Sequence, residues 1–154
     1  MATRKHRRRG WGFSLPSARR HRETNLIQYQ RLHLDLLFKA IDDPDLVAVM
    51  DTYGGAVPAD TQRQYLMANA LYTNMLLAYR VGSVTRKELF GHMRLFFQNS
   101  VCREFWLATA PQRASLDPDS EEYSIGRMMD QLLQDLDEAS DNEDWWVVGT
   151  PPES

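Results

Sequence analysis

Apolar residues recur through the middle of this chain at spacings of three and four, the period of helices that bury one side. From Thr24 onward, Leu26, Ile27, Gln30, Leu34, Leu37, Phe38 and Ile41 share one face, with Arg31, Asp35 and Lys39 off it, which predicts a first helix ending at Asp42-Asp43-Pro44. Asp43 as N-cap with Pro44 at the first helical position opens a short second helix through Leu46, Val47 and Met50. A glycine-rich loop, Tyr53 to Pro58, follows. The third helix begins near Asp60 or Thr61, carries Tyr65, Leu66, Asn69, Tyr72, Leu76 and Tyr79, and stops at Gly82.

Thr85-Arg86-Lys87-Glu88 has the reciprocal N-terminal pattern of a hydroxyl followed three residues later by a glutamate, so a fourth helix starts there. It runs through Leu89, Phe90, Met93, Phe96 and Phe97 to Asn99. Ser100 is expected to cap a fifth helix bearing Val101, Phe105, Trp106 and Leu107, closed by Ala110-Pro111. After a loop through Asp117-Pro118, Asp119 or Ser120 caps a sixth helix. Glu121 and Glu122 suit its positive end, and Tyr123, Met128, Met129, Leu132, Leu133 and Leu136 line one side. No alternating Val/Ile/Thr run and no hairpin turn occurs. The expected fold is all-α, a compact bundle of about six helices. Residues 23–138 should fold without either flank, because the main apolar stripes lie within them. Beyond them, Trp145-Trp146-Val147-Val148 reads as an apolar plug.

Charge divides the chain more sharply than hydropathy does. Residues 1–22 hold eight Lys/Arg and no acid, residues 23–116 hold nine of each sign, and residues 117–154 hold one Arg and twelve acids. The net charge of −3 conceals this asymmetry. Three parts follow: a disordered basic arm (1–22), a helical domain (23–138) and an acidic, Pro-ended tail (139–154) that is also expected to be disordered.

Cys102 is the only cysteine, so no intramolecular disulfide forms, and its apolar neighbours suggest a buried thiol. Arg7-Arg8-Arg9 imitates the start of a signal peptide, but no apolar stretch of roughly 7–15 residues follows it. Leu66 to Tyr79 is too short, and too polar at Asn69 and Asn74, for the ~20 residues of a membrane span. These features lead to the expectation of a cytoplasmic protein.

Three stretches carry a resemblance. They are Asn25 to Leu37 with Asp43-Pro44-Asp45-Leu46, Asn69 to Gly82, and Cys102-Arg103-Glu104-Phe105-Trp106. With their connectors they cover about residues 25–136, and there the chain resembles a family of small actinobacterial proteins of unknown function. The resemblance implies a helical fold and brings no activity, cofactor or site residue. Members of that family often carry a membrane helix before the domain; this chain has the basic arm in its place.

Few residues suggest chemistry. His33, one turn from Tyr29, is the weak catalytic candidate, an acid or base if Glu104, Asp35 or Tyr72 comes within reach; its bland role is a structural hydrogen bond. Arg103 and Glu104 precede Phe105-Trp106 on an apolar helix and suit salt bridges at the rim of the core. Asn69 and Asn74 suit structural hydrogen bonds within it. Tyr29, His33, Tyr72, Arg103, Glu104 and Trp106 together form the candidate interface or pocket. The four histidines lack metal-ligand spacing, and no phosphate-cradling or nucleophile-elbow motif occurs, so no metal and no cofactor is expected.

The arm is the candidate anion-binding element: Arg4, Lys5, Arg7, Arg8, Arg9, Arg19, Arg20 and Arg22, with Trp11 and Phe13 between them. It suits weak, salt-sensitive contact with nucleic acid or an anionic membrane. The leading expectation is a non-enzymatic helical interaction or regulatory module with a protein partner, a homodimer included. The alternatives are a small helical enzyme tailoring a peptide or natural product through His33, and a nucleic-acid-associated protein acting through the arm.

Overall fold

A computed structural model describes residues 15–139 and 144–153. Seven α-helices and two short 3-10 turns make up the described residues, with no strand among them. The helices are α1 (Leu15–Asp42), α2 (Pro44–Val47), α3 (Ala59–Arg80), α4 (Arg86–Phe96), α5 (Ser100–Ala108), α6 (Ala110–Ala114) and α7 (Glu121–Glu138). The fold is all-α, as the periodicity requires.

Several ends form where their residues dictate. Asp43 accepts from the Asp45 N–H, and Pro44 begins α2. At α4 the Thr85 hydroxyl accepts from Glu88 N while the Glu88 carboxylate accepts from Thr85 N, which holds that carboxyl below its ordinary range. At the end of α3, Gly82 has φ +76°; its N–H reaches the Tyr79 carbonyl and the Ser83 N–H reaches the Ala78 carbonyl, a complete Schellman closure. Ser120 caps α7 by accepting from Tyr123 N, and Arg80 at the end of α3 pairs with Glu122 at 3.0 Å.

Four details depart from the sequence reading. The first helix begins at Leu15, not near Thr24, so Arg19, Arg20 and Arg22 stand on helix instead of in an unstructured arm. Ala and Arg have high helix propensity, Pro16 is tolerated in a first turn, and Arg19 pairs with Glu23 one turn on. Residues 1–14 of the expected arm lie outside the described residues. The cap of α5 is Asn99, whose side chain accepts from Val101 N and Cys102 N; Ser100 is already helical. The expected loop after Pro111 starts with the extra helix α6, because proline within the first turn initiates a helix as readily as it ends one. The fourth concerns the C-terminal tail. Residues 140–143 lie outside the described residues, but 144–149 return to the bundle.

The long helix α3 organises the packing, touching α1, α2, α4 and α5, while α7 packs on α4 and α6. The core is aromatic and sulfur-rich where α3, α4, α5 and α7 meet: Tyr65, Tyr72, Phe90, Met93, Phe96, Phe97, Phe105, Trp106 and Met129 are all buried there. Phe97, Trp106 and Tyr72 form a chain of edge-to-face rings, 5.7 Å and 5.2 Å between centroids. Cys102 is buried as expected, and burial pushes its thiol up.

The apolar plug is mainly Val148. It enters the core cluster, with Trp145 half-buried beside it, whereas Trp146 and Val147 stay exposed. Arg94 on α4 fastens the segment by donating to the carbonyls of Val148 and Gly149. Gly149 has φ +76°, and a Cβ there would lie 3.1 Å from both Phe90 and Asp135, so this close approach requires glycine.

Candidate functional site

The most heavily engaged polar group in the core is the guanidinium of Arg113, on α6. The break at Ala110-Pro111 turns the chain so that Arg113 folds back over α5. The guanidinium lies 3.8 Å from the centroid of the Trp106 ring, a stacked cation–π arrangement. One terminal nitrogen donates to the Trp106 carbonyl and to Thr109 Oγ1, the latter at 2.8 Å. The other donates to Asp130 Oδ1 on α7 at 3.1 Å. The same oxygen accepts the Trp106 indole N–H at 2.9 Å. One carboxylate oxygen therefore ties α5, α6 and α7 together.

Burial lowers the Arg113 pKa from its ordinary value, with Asp130 opposing that shift. Arg113 Nε is buried without a partner, a desolvation cost of about 1–3 kcal/mol that the remaining bonds offset. Tyr72, edge-on to Trp106, has its phenol pushed up to about 12, chiefly by burial and next by the charge of Glu122.

Two clefts meet at this node. A groove of about 550 Å³ runs between α5, α6 and α7, floored by Trp106, Ala110 and Leu133 and edged by Asp130, Asp137 and Glu138. A smaller one of about 280 Å³ lies on the other side of Trp106 and Arg113, lined by Tyr53, Tyr65, Asn69 and Tyr72. Among the described residues no group of His, Cys, Asp and Glu is placed to hold a metal ion.

A second surface has the opposite character. Helix α1 rests on α3 and α2 by one side, burying Gln30, Leu37 and Ala40. Its seam is imperfect, because Gln30 Nε2 is buried without a partner. The outer side carries Tyr29, Leu32 and Leu36, which are 70%, 65% and 60% exposed. Ile27 and Phe38, expected on the buried face, are also exposed, because α1 meets its neighbours along a narrower stripe than its apolar content allows. Arg63 Nε donates to the Ile41 carbonyl at 2.8 Å and anchors the end of the helix.

The residues singled out by sequence do not form one site. Tyr72 and Trp106 are in ring contact. Arg103 donates to Asp137 on α7 and to the Phe97 carbonyl, which closes the end of α4, whereas Glu104 is exposed and makes no ion pair among the described residues. The expected rim salt bridges are thus formed by Arg103 alone. Tyr29 and His33 lie on α1; His33 is half-buried and makes no hydrogen bond or ion pair among the described residues, so neither the catalytic partner nor the structural bond considered for it is present. Among the described residues Asn69 and Asn74 likewise make no side-chain hydrogen bond; Asn69 faces the smaller cleft and Asn74 is exposed. Of the anion-binding candidates, Arg19, Arg20 and Arg22 are exposed on α1, and Arg4, Lys5, Arg7, Arg8 and Arg9 lie outside the described residues.

Arg113 and Asp130 escaped sequence reading. Their one signal was a charge among apolar neighbours: Asp130 follows Met128-Met129, and Arg113 comes two residues after a proline.

A small all-helical domain, with a buried cation–aromatic node and one amphipathic helix left half uncovered, is the class this architecture defines. The chain belongs to a family of unknown function, DUF6082, whose model matches residues 6–145. No curated protein and no solved structure matches it. Among the described residues no helix is long and apolar enough to cross a membrane.

Proposed function

We propose that this protein is a non-enzymatic helical interaction module, and that α1 is the element that meets its partner. The observation that carries this reading is the row Tyr29, Leu32 and Leu36 on the outside of a helix whose other side is already packed. Isolated exposed leucines are ordinary, but a row at helical spacing is what a partner helix or groove covers. A regulatory role, a cytoplasmic location and the actinobacterial origin suggested by the resemblance belong to the same reading.

The enzymatic alternative through His33 draws less support. Among the described residues the histidine makes no hydrogen bond or ion pair, and neither cleft is lined by it. The nucleic-acid alternative rests on the arm, of which α1 displays Arg19, Arg20 and Arg22.

A photo-crosslinking residue at position 32, compared with one at position 104, tests the module in cells. Covalent protein adducts from position 32 and not from 104 are expected. Absence of adducts from 32 would remove the reading. A His33→Asn variant that melts normally yet loses cellular function would favour the enzyme, and crosslinks to nucleic acid would favour the third alternative.

A further inference from the structure

The uncovered side of α1 has a pattern that names its occupant. Tyr29, Leu32 and Leu36 are separated by three and then four residues, the alternation that keeps a seam facing a second helix. The same seam continues to Arg22 and Asn25 before them and to Lys39 after them, so an apolar centre is closed at both ends by polar residues.

Charge is also divided along the helix. Its first half carries Arg19, Arg20 and Arg22 against Glu23 alone. In its second half Asp35 and Asp42 balance Arg31 and Lys39, and the acidic surplus comes from Asp43 and Asp45, which follow the helix in the turn and in α2. At 28 residues the helix is about 42 Å long, well beyond the ~8 Å over which exposed charges act at physiological salt, so the arginines of its first turns and the exposed Asp42, Asp43 and Asp45 at the corner where it ends act separately.

A surface with an apolar middle, a basic end and an acidic end is complementary to itself turned through a two-fold axis. Resting from these observations on the interaction-module reading, we infer that α1 pairs antiparallel with α1 of a second copy of this chain. Tyr29, Leu32 and Leu36 then form the centre, and Arg19 and Arg22 of each copy approach Asp42 and Asp45 of the other. Such a two-fold interface is closed and self-complementary. A parallel pairing sets the arginines against one another. An anionic membrane suits the basic half only and is repelled by Asp42, Asp43 and Asp45 at the other end.

Sedimentation velocity of the full chain over a hundredfold range of concentration tests this. The mass is expected to rise from one chain towards two. Leu32→Glu with Leu36→Glu should hold it at one chain while helical circular dichroism and the melting temperature in dilute solution stay unchanged, since both side chains are exposed in the single chain.

Orientation is tested by charge. Arg19→Glu with Arg22→Glu should weaken association about tenfold or more, as should Asp42→Arg with Asp45→Arg, and all four changes together should restore it. A chain that stays single at every concentration overturns the inference, as does association that survives the double leucine change. A single chain that binds phosphatidylglycerol vesicles through Leu32 and Leu36 overturns it in favour of a membrane. A single chain that still yields heterologous adducts from position 32 removes the dimer and leaves the module standing.

Discussion

Around Trp106 and along α1 the same kinds of residue have opposite fates. Near Trp106, aromatic and aliphatic side chains from α3, α4, α5 and α7 leave almost nothing exposed, and even the polar atoms converge, since Asp130 Oδ1 accepts from two donors on two helices. On α1, leucines and a tyrosine point outward and stay more than half exposed. The first region is over-determined by many mutual contacts and supplies stability. The second is attached along one stripe, and its surplus apolar area is a resource for association. Substitutions should therefore divide cleanly: in one region they change unfolding, in the other they change mass or partners.

The largest effect belongs to Trp106, 1% exposed and in contact with Tyr72, Phe97 and Arg113. Trp106→Ala should cost about 3–5 kcal/mol in urea unfolding. A cost below about 1 kcal/mol would erase the contrast between the two regions.

Removal of residues 139–154 should come next, at about 2–4 kcal/mol, from the lost burial of Val148 and the two bonds from Arg94. Residues 23–138 were expected from the sequence to fold unaided. A truncated chain as stable as the full one would show that Val148 adds nothing to the core it enters.

Arg113→Met keeps the apolar stem but loses the stacked cation and the bonds to Asp130, Thr109 and the Trp106 carbonyl. With Asp130 more than a third exposed, solvent screening limits the cost to about 1–3 kcal/mol by chemical denaturation. No measurable change would mark the node as surface decoration.

Alkaline pH reads the core differently. The Tyr72 phenol is raised in the folded state to about 12 from 10, so the folded chain binds its proton more tightly than the unfolded chain does. That contribution is complete below pH 10 and is lost between about 10 and 12. Tyr53, Tyr65 and Cys102 are shifted in the same direction by burial, so Tyr72→Phe should flatten the alkaline fall in melting temperature only in part. An unchanged slope would place the phenol in water.

Smallest of all, Leu32→Glu should move the unfolding midpoint by no more than about 0.5 kcal/mol in dilute solution, where nothing covers it. A loss of several kcal/mol would mean that α1 packs within its own chain and that the two regions are alike.

Local signals in the sequence were enough for most helix ends. Thr85 with Glu88, Asp43 with Pro44, and Gly82 each act on backbone groups within five residues, so their outcome does not depend on the rest of the fold. The aromatic core was legible too, because Phe90, Phe97, Phe105 and Trp106 fall on helix faces that have nowhere else to go. Where α1 packs was not legible. Apolar residues lie nearly all round it, so periodicity names a helix without choosing which stripe is paired. The Arg113–Asp130 contact was hidden for a different reason. The residues are 17 positions apart, and they meet only because α6 turns back at Pro111. Val148 lay in an apolar run whose members looked equivalent until Arg94 took its carbonyl and that of Gly149 just after it.

That last clasp bears on how the chain comes into being. Its core partners Phe90 and Leu132 are translated before Val148, Phe90 by more than fifty residues. At roughly 5–20 residues per second, the site on α4 waits about 3–12 s on the ribosome for its cover. During that interval Arg94 has neither the Val148 nor the Gly149 carbonyl to hold. Closure of the core is therefore timed by the late arrival of a valine and a glycine, and a pause in translation before residue 148 prolongs the period in which that uncovered site is available to chaperones.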